Sequence, residues 1–216
     1  MLLERGRMVG GCMARIDVPR DVDPELLPQV PDPAMLDEPW QLAQRAMDTV
    51  TMMQHHRGPS PGTWGYQASQ TLRLMQNRIE WTLSLRNLGR HPMPVRLGWR
   101  LQFGEDFAQE LRLDDGDKLP QPARGHVEDI EPWRGISTLA GPGGRFVLLR
   151  SWAPVTSLRF ERHPTRSSFH IDLMTPDGDA LAPLPRGEEL TLRLTMDLMR
   201  GRKPPANGRK EPPTPP

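Results

Sequence analysis

Two apolar stretches carry polar residues at every second position. In VRLGWRLQF (95–103), Arg100 and Gln102 alternate with Trp99, Leu101 and Phe103. In SFHIDLM (168–174), His170 and Asp172 alternate with Phe169, Ile171 and Leu173. Alternation of this kind puts Arg96, Arg100 and Gln102 on one side of an extended chain, and His170 and Asp172 together on one side of another. A guanidinium, an amide, an imidazole and a carboxylate are planar hydrogen-bonding groups that suit a polyhydroxylated ring, and a tryptophan such as Trp99 offers that ring an apolar surface. Arg100 cannot shuttle a proton, because a guanidinium keeps its charge in a protein. The same pattern also describes an ordinary solvated sheet face. Gly98 lies on the polar side as well and is expected to leave an open spot there.

The elements that would hold these residues are strands. RIEWTLSLRN (78–87) alternates Ile79, Trp81, Leu83 and Leu85 with polar residues, and ELTLRLTMDLM (189–199) alternates Leu190, Leu192, Leu194, Met196 and Leu198. RFVLLRSW (145–152) and SLRFER (157–162) are shorter strand candidates. Period two over such runs predicts antiparallel strands with one face on a core. Turn signals divide them at Gln76-Asn77, Asn87-Leu88-Gly89, Gly141 to Gly144, Pro176-Asp177-Gly178 and Pro185-Arg186-Gly187. Strands so spaced predict an all-β antiparallel sandwich. Residues 40–55 fit a helical stripe and an alternating strand almost equally well. The Met47, Met52, Met53 group reads as core filling, and His55-His56 as an exposed strand end.

The bulk numbers narrow the function classes. Among 216 residues, 28 basic and 27 acidic side chains leave a net charge of +1. That balance gives no electrostatic basis for nucleic acid or an anionic membrane as partner. One cysteine, Cys12, excludes an internal disulfide framework and a cysteine-rich zinc site. No apolar run is long enough for a signal peptide or a membrane-spanning helix, so a cytoplasmic protein is expected. No metal and no cofactor are expected. Residues 1–38 read as a proline-rich lead-in, poorly structured over 18–39. Residues 39–200 read as the β-sandwich domain, and 201–216 as a disordered proline-rich tail.

The order of several motifs resembles the aldose 1-epimerase (galactose mutarotase) family. They are Tyr66-Gln67-Ala68-Ser69-Gln70, a strand ending at Asn87, Met93-Pro94 leading to Gly98-Trp99-Arg100, Trp133-Arg134-Gly135, Phe169-His170-Ile171-Asp172, and Leu184-Pro185-Arg186-Gly187-Glu188. The resemblance covers roughly residues 39–200. It implies a galactose mutarotase-like supersandwich, N-terminally shortened, with a sugar on a concave sheet face, and it resolves residues 40–55 as two strands. It also implies anomer interconversion, in which a carboxylate takes the C1 hydroxyl proton and a histidine protonates the ring oxygen.

This chain departs from that pattern at the positions that carry the chemistry. Arg100 stands where the family has its acid histidine, and Asp172 where it has its base glutamate. The family's substrate-holding aspartate falls near Val127, beside His126 and Asp129. The resemblance thus casts Asp172 as the base, with His170 or His126 as a substitute acid, and Arg100, Gln102, Trp99 and Trp133 as sugar contacts. One reading is an epimerase that works weakly if at all. Another is a non-catalytic carbohydrate-binding or sensing module. A third is a hexose-phosphate variant, with Arg73, Arg96, Arg100 and Arg193 on one sheet offering guanidinium groups to a phosphate. Missing N-terminal strands would leave open sheet edges, which a homodimer would cover.

Overall fold

The structure is a computed structural model and describes residues 2–4, 7–9, 12–19, 39–57, 64–104, 110–114, 116–152, 154–176 and 182–201. Most of the lead-in expected over 18–39 and of the tail expected over 201–216 lies outside these residues.

Alternation produces two packed antiparallel sheets. With strands numbered in chain order, the nine-stranded sheet runs β10 (Lys118–Pro120), β9 (Glu110–Leu113), β12 (Ile136–Ala140), β13 (Arg145–Ser151), β16 (Glu189–Arg200), β7 (Arg78–Asn87), β6 (Tyr66–Met75), β5 (Thr49–His56) and β4 (Gln41–Arg45). The five-stranded sheet runs β11 (Val127–Ile130), β14 (Ser157–Arg162), β15 (Ser168–Met174), β8 (Arg96–Gly104) and β3 (Cys12–Asp17). A separate hairpin joins β1 (Leu2–Glu4) and β2 (Arg7–Val9).

The apolar members of each alternating strand meet between the sheets. Trp81, Leu83 and Leu85 of β7 and Leu192, Leu194 and Met196 of β16 face Leu97, Trp99 and Leu101 of β8 and Phe169, Ile171 and Leu173 of β15. Each such burial is worth about 1.5–3 kcal/mol. Trp81 and Trp99 meet at 6.1 Å between ring centroids, tilted by 54°. Leu198, though in phase with Leu192 to Met196, runs past the core and is exposed. Residues 40–55 are two strands, because β5 pairs with β6 over eight residues and this pairing occupies backbone groups that a lone helix would not bring to the sheet.

Several local expectations are corrected. Met47 is fully exposed at the β4–β5 turn, and Met52 and Met53 are only half-buried, so this group does not fill the core. His56 is buried and stacks on Tyr66 at 5.3 Å, because its side chain follows the inward phase of β5 while His55 points out. Gly98 leaves no open spot: a Cβ there would come within 2.0 Å of the Leu173 carbonyl oxygen. Residues 12–17, upstream of the expected domain start at 39, form β3 and pair with β8 from Cys12↔Leu101 to Asp17↔Arg96. Ala14 and Ile16 of that strand enter the core, which is the physical reason it belongs to the sandwich.

Candidate functional site

The five-stranded sheet positions the polar face. Antiparallel register sets Asp129, Arg159, Asp172, Arg100 and Met13 side by side across five strands. The neighbouring row holds Val127, Glu161, His170 and Gln102. Arg100, Gln102, His170 and Asp172, chosen from sequence phase, therefore do share one face of one sheet, opposite the core.

Asp172 is the centre of this face. Arg100 donates to both its oxygens, Nε to Oδ1 at 2.7 Å and Nη2 to Oδ2 at 2.6 Å. Arg15 of β3 adds Nη1 to Oδ2 at 2.9 Å and reaches Asp17 through Nη2 at 2.7 Å. The Asp172 side chain is 6% exposed, while Arg15 and Arg100 remain 27% and 30% exposed. Arg15 lies opposite Gly98, which places no side chain in its path across β8. The bond to Asp172 holds the Arg100 guanidinium above its ordinary range, against the opposing effect of burial. Three charge-assisted hydrogen bonds thus fix the carboxylate in place.

His170 lies two residues from Asp172, about 7 Å along the strand. Burial lowers its pKa, and Arg100 lowers it further. Its ring stands edge-on to His163 at 5.6 Å. The His163 Nδ1 accepts the Arg166 backbone N–H at 3.0 Å, which assigns its own proton to Nε2. At neutral pH the face therefore presents cationic Arg15 and Arg100, a neutral His170 and the Gln102 amide around the bonded Asp172 carboxylate, with the Glu161 and Asp129 carboxylates farther out on the same face. It can orient hydroxyl or anionic oxygens.

Three sequence-predicted contacts lie elsewhere. Trp99 points into the core and is wholly buried, because alternation sends it opposite Arg100. Trp133 is also in the core, with Nε1 donating to Ser137 Oγ at 2.8 Å. His126 is exposed just before β11, two strands from β15, and strand geometry puts it more than about 10 Å from Asp172. The four arginines considered for a phosphate divide between the sheets: Arg96 and Arg100 are on β8, but Arg73 is on β6 and Arg193 on β16. Arg15 is the residue that sequence reasoning missed. The alternation of Met13, Arg15 and Asp17 with Ala14 and Ile16 was its only signal, and five residues are too few to stand out beside a proline-rich stretch. Among the described residues, no three His, Cys, Asp or Glu side chains gather as metal ligands, and no helix is long and apolar enough to cross a membrane.

With this arrangement defined, the chain can be compared with known proteins. A candidate aldose 1-epimerase from Escherichia coli K12 superposes with a TM-score of 0.61 at 21% identity, over 75% of this chain and 69% of that one. A galactose mutarotase-like protein from Lactobacillus casei ATCC 334 gives 0.56 at 16%, over 74% and 73%. This chain has the galactose mutarotase-like fold. A protein from Synechocystis sp. PCC 6803 has a TM-score of 0.62 at 13% identity, over 76% of this chain and 66% of that one. No family profile and no curated protein matches the sequence. Within this galactose mutarotase-like sandwich, the Arg15–Asp172–Arg100 cluster sits at the centre of the polar face of the five-stranded sheet.

Proposed function

We propose that this chain is a sugar-binding protein on the galactose mutarotase-like fold whose anomer interconversion is slow or absent. One observation carries the reading: Asp172, the only carboxylate in the expected base position, is buried and bonded to two guanidiniums. Both proton-transfer roles are affected. Arg100 cannot cycle a proton, and His170 stays neutral where an acid would need to be charged. What the face retains is binding chemistry, with Arg100, Arg15, Gln102 and His170 able to direct hydrogen bonds at ring and hydroxyl oxygens. A fold alone does not fix an activity, so the reading rests on these side chains. The partly exposed guanidinium groups of Arg15 and Arg100 also suit a ligand that is anionic, and a hexose phosphate is the second reading.

The deciding experiment is NMR exchange between the α and β anomers of galactose and glucose, with Asp172→Asn as control, followed by titration with each hexose and with glucose 6-phosphate. The expected result is exchange no faster than in the control, with saturable binding that Gln102→Ala weakens. Exchange that is fast in the native chain and abolished in the control would overturn the reading and make Asp172 a working base.

A further inference from the structure

A second charged cluster lies on the outer face of the nine-stranded sheet, away from the Asp172 face. There β7, β16 and β13 run side by side, and register puts Arg78 opposite Asp197 and Arg150 opposite Thr195. Arg78 donates to Asp197 through Nε at 2.6 Å and Nη2 at 3.3 Å, and Arg150 through Nη1 at 3.3 Å. Asp197 is 10% exposed at its side chain, but Arg78 and Arg150 are 38% and 41% exposed. The three groups line a cleft of about 510 Å³. That is within the range of small-molecule sites, about 300–1,000 Å³.

Two guanidiniums around one carboxylate leave a net charge of +1 on the cleft wall. Glu80, two residues along β7, stands in register with Arg73 of β6; its charge acts on Arg78 from beside the cleft, although it does not line it. The rest of the wall is of two kinds. Met75 and Met199 supply half-exposed thioether surface. Gln76 and Asn77, the β6–β7 turn, supply side-chain amides at the rim. Asn77 holds β16 in place, accepting the Leu198 N–H at 2.7 Å and donating Nδ2 to the Leu198 carbonyl at 3.2 Å. Gln76 adopts φ 34°, a conformation that hairpin turns ordinarily assign to glycine or asparagine. The turn thus carries a long amide side chain where backbone preference alone favours none.

We propose that this cleft is a second ligand site, which takes a small organic monoanion: one carboxylate on a compact apolar body. The carboxylate bonds to the donors of Arg150 and Arg78 that Asp197 leaves open, with the turn amides beside it, and the apolar body lies on Met75 and Met199. Charge sets the anion count at one, because a dianion would meet only one net positive charge beside a buried carboxylate. The methionines favour an apolar body over a polyol, since a thioether offers polarizable contact and only a weak acceptor.

The test is an NMR titration of the full chain with hexanoate, following the arginine Nε–H signals, with hexanamide as the neutral match and inorganic phosphate as the compact anion. Saturable hexanoate binding is expected, at least tenfold tighter than hexanamide or phosphate. Arg150→Gln, at an exposed position, should weaken it at least tenfold, and Gln76→Gly severalfold, although that change relaxes the turn. Absence of saturation, equal binding of hexanoate and hexanamide, or hexanoate affinity unchanged in both variants would overturn the proposal. Phosphate binding as tight as hexanoate would overturn the apolar half of it. Met199→Ser, also exposed, provides a third reading of that half, with a severalfold loss expected.

Discussion

At the scale of single residues, Asp172 shows how context decides what a carboxylate can do. The resemblance casts it as a base, and in the structure two guanidiniums hold it in a buried ion-pair cluster. Removing Arg100 leaves a buried carboxylate with Arg15 as its remaining cation, and an unmet buried acceptor costs about 1–3 kcal/mol. Arg100→Ala should therefore lower the unfolding free energy by that amount, read as a lower urea midpoint, with Asp172→Asn partly restoring it in the double variant. A midpoint unchanged in Arg100→Ala would mean that the bridge contributes nothing to the fold. His170 supplies a pH signature. Burial and Arg100 depress its pKa in the folded chain, outweighing Glu161 and Asp172, whose charges act in the opposite direction. The unfolded chain keeps the ordinary value near 6.5 and so binds the proton first as pH falls. The contribution of His170 is thus fully present above about that pH and is lost as pH drops through the lower folded value. Urea midpoints measured from pH 7.5 to pH 5 should fall more steeply for the native chain than for His170→Gln.

At the scale of elements, β8 and β15 do most to build the polar face, and a glycine sets their contact. A methyl group at Gly98 would press on the Leu173 carbonyl at 2.0 Å and on Met174 Cα at 2.8 Å, both backbone atoms that cannot rotate away. Gly98→Ala is expected to cost at least the upper part of the overpacking range, about 1–3 kcal/mol, and to disturb amide signals along β15 first. An alanine variant of native stability would show that the two strands can separate freely. Asn87 fixes the approach to β8. It donates Nδ2 to the carbonyls of His91 and Leu184, each at 2.8 Å, and its Oδ1 accepts the Gly89 N–H at 2.8 Å. Its role at the end of β7 is therefore to tie the 88–95 segment to the chain near Leu184, where Met93 and Leu184 form a bridge.

At the scale of the whole molecule, the sandwich depends on β3. Removal of residues 1–19 would take Ala14 and Ile16 from the core, strip Arg15 from Asp172, and turn β8 into an exposed edge. A bare edge beside an apolar core is a template for pairing with another chain. The shortened chain should unfold at lower urea and elute from size exclusion at a mass that rises with concentration. Native stability and unchanged elution would make β3 an accessory strand.

The sequence alone determined the sandwich, because a period of two sorts side chains between core and solvent without reference to any distant residue. Ile79 to Leu85, Leu97 to Leu101 and Phe169 to Leu173 all lie inward as their phase requires. The same rule placed Arg100 and Asp172 on polar faces and, applied strictly, would have removed Trp99 from the sugar contacts. Phase says nothing about which strand lies beside which. Only the tertiary structure decided that Asp172 stands opposite Arg100, that β3 returns to bring Arg15 to it, and that Arg73 and Arg193 belong to the other sheet. It also gathered Arg78, Arg150 and Asp197, separated by up to 119 positions, around one cleft. Register between distant strands is set by the packing of the entire core, and the chemistry of a sheet face depends on that register.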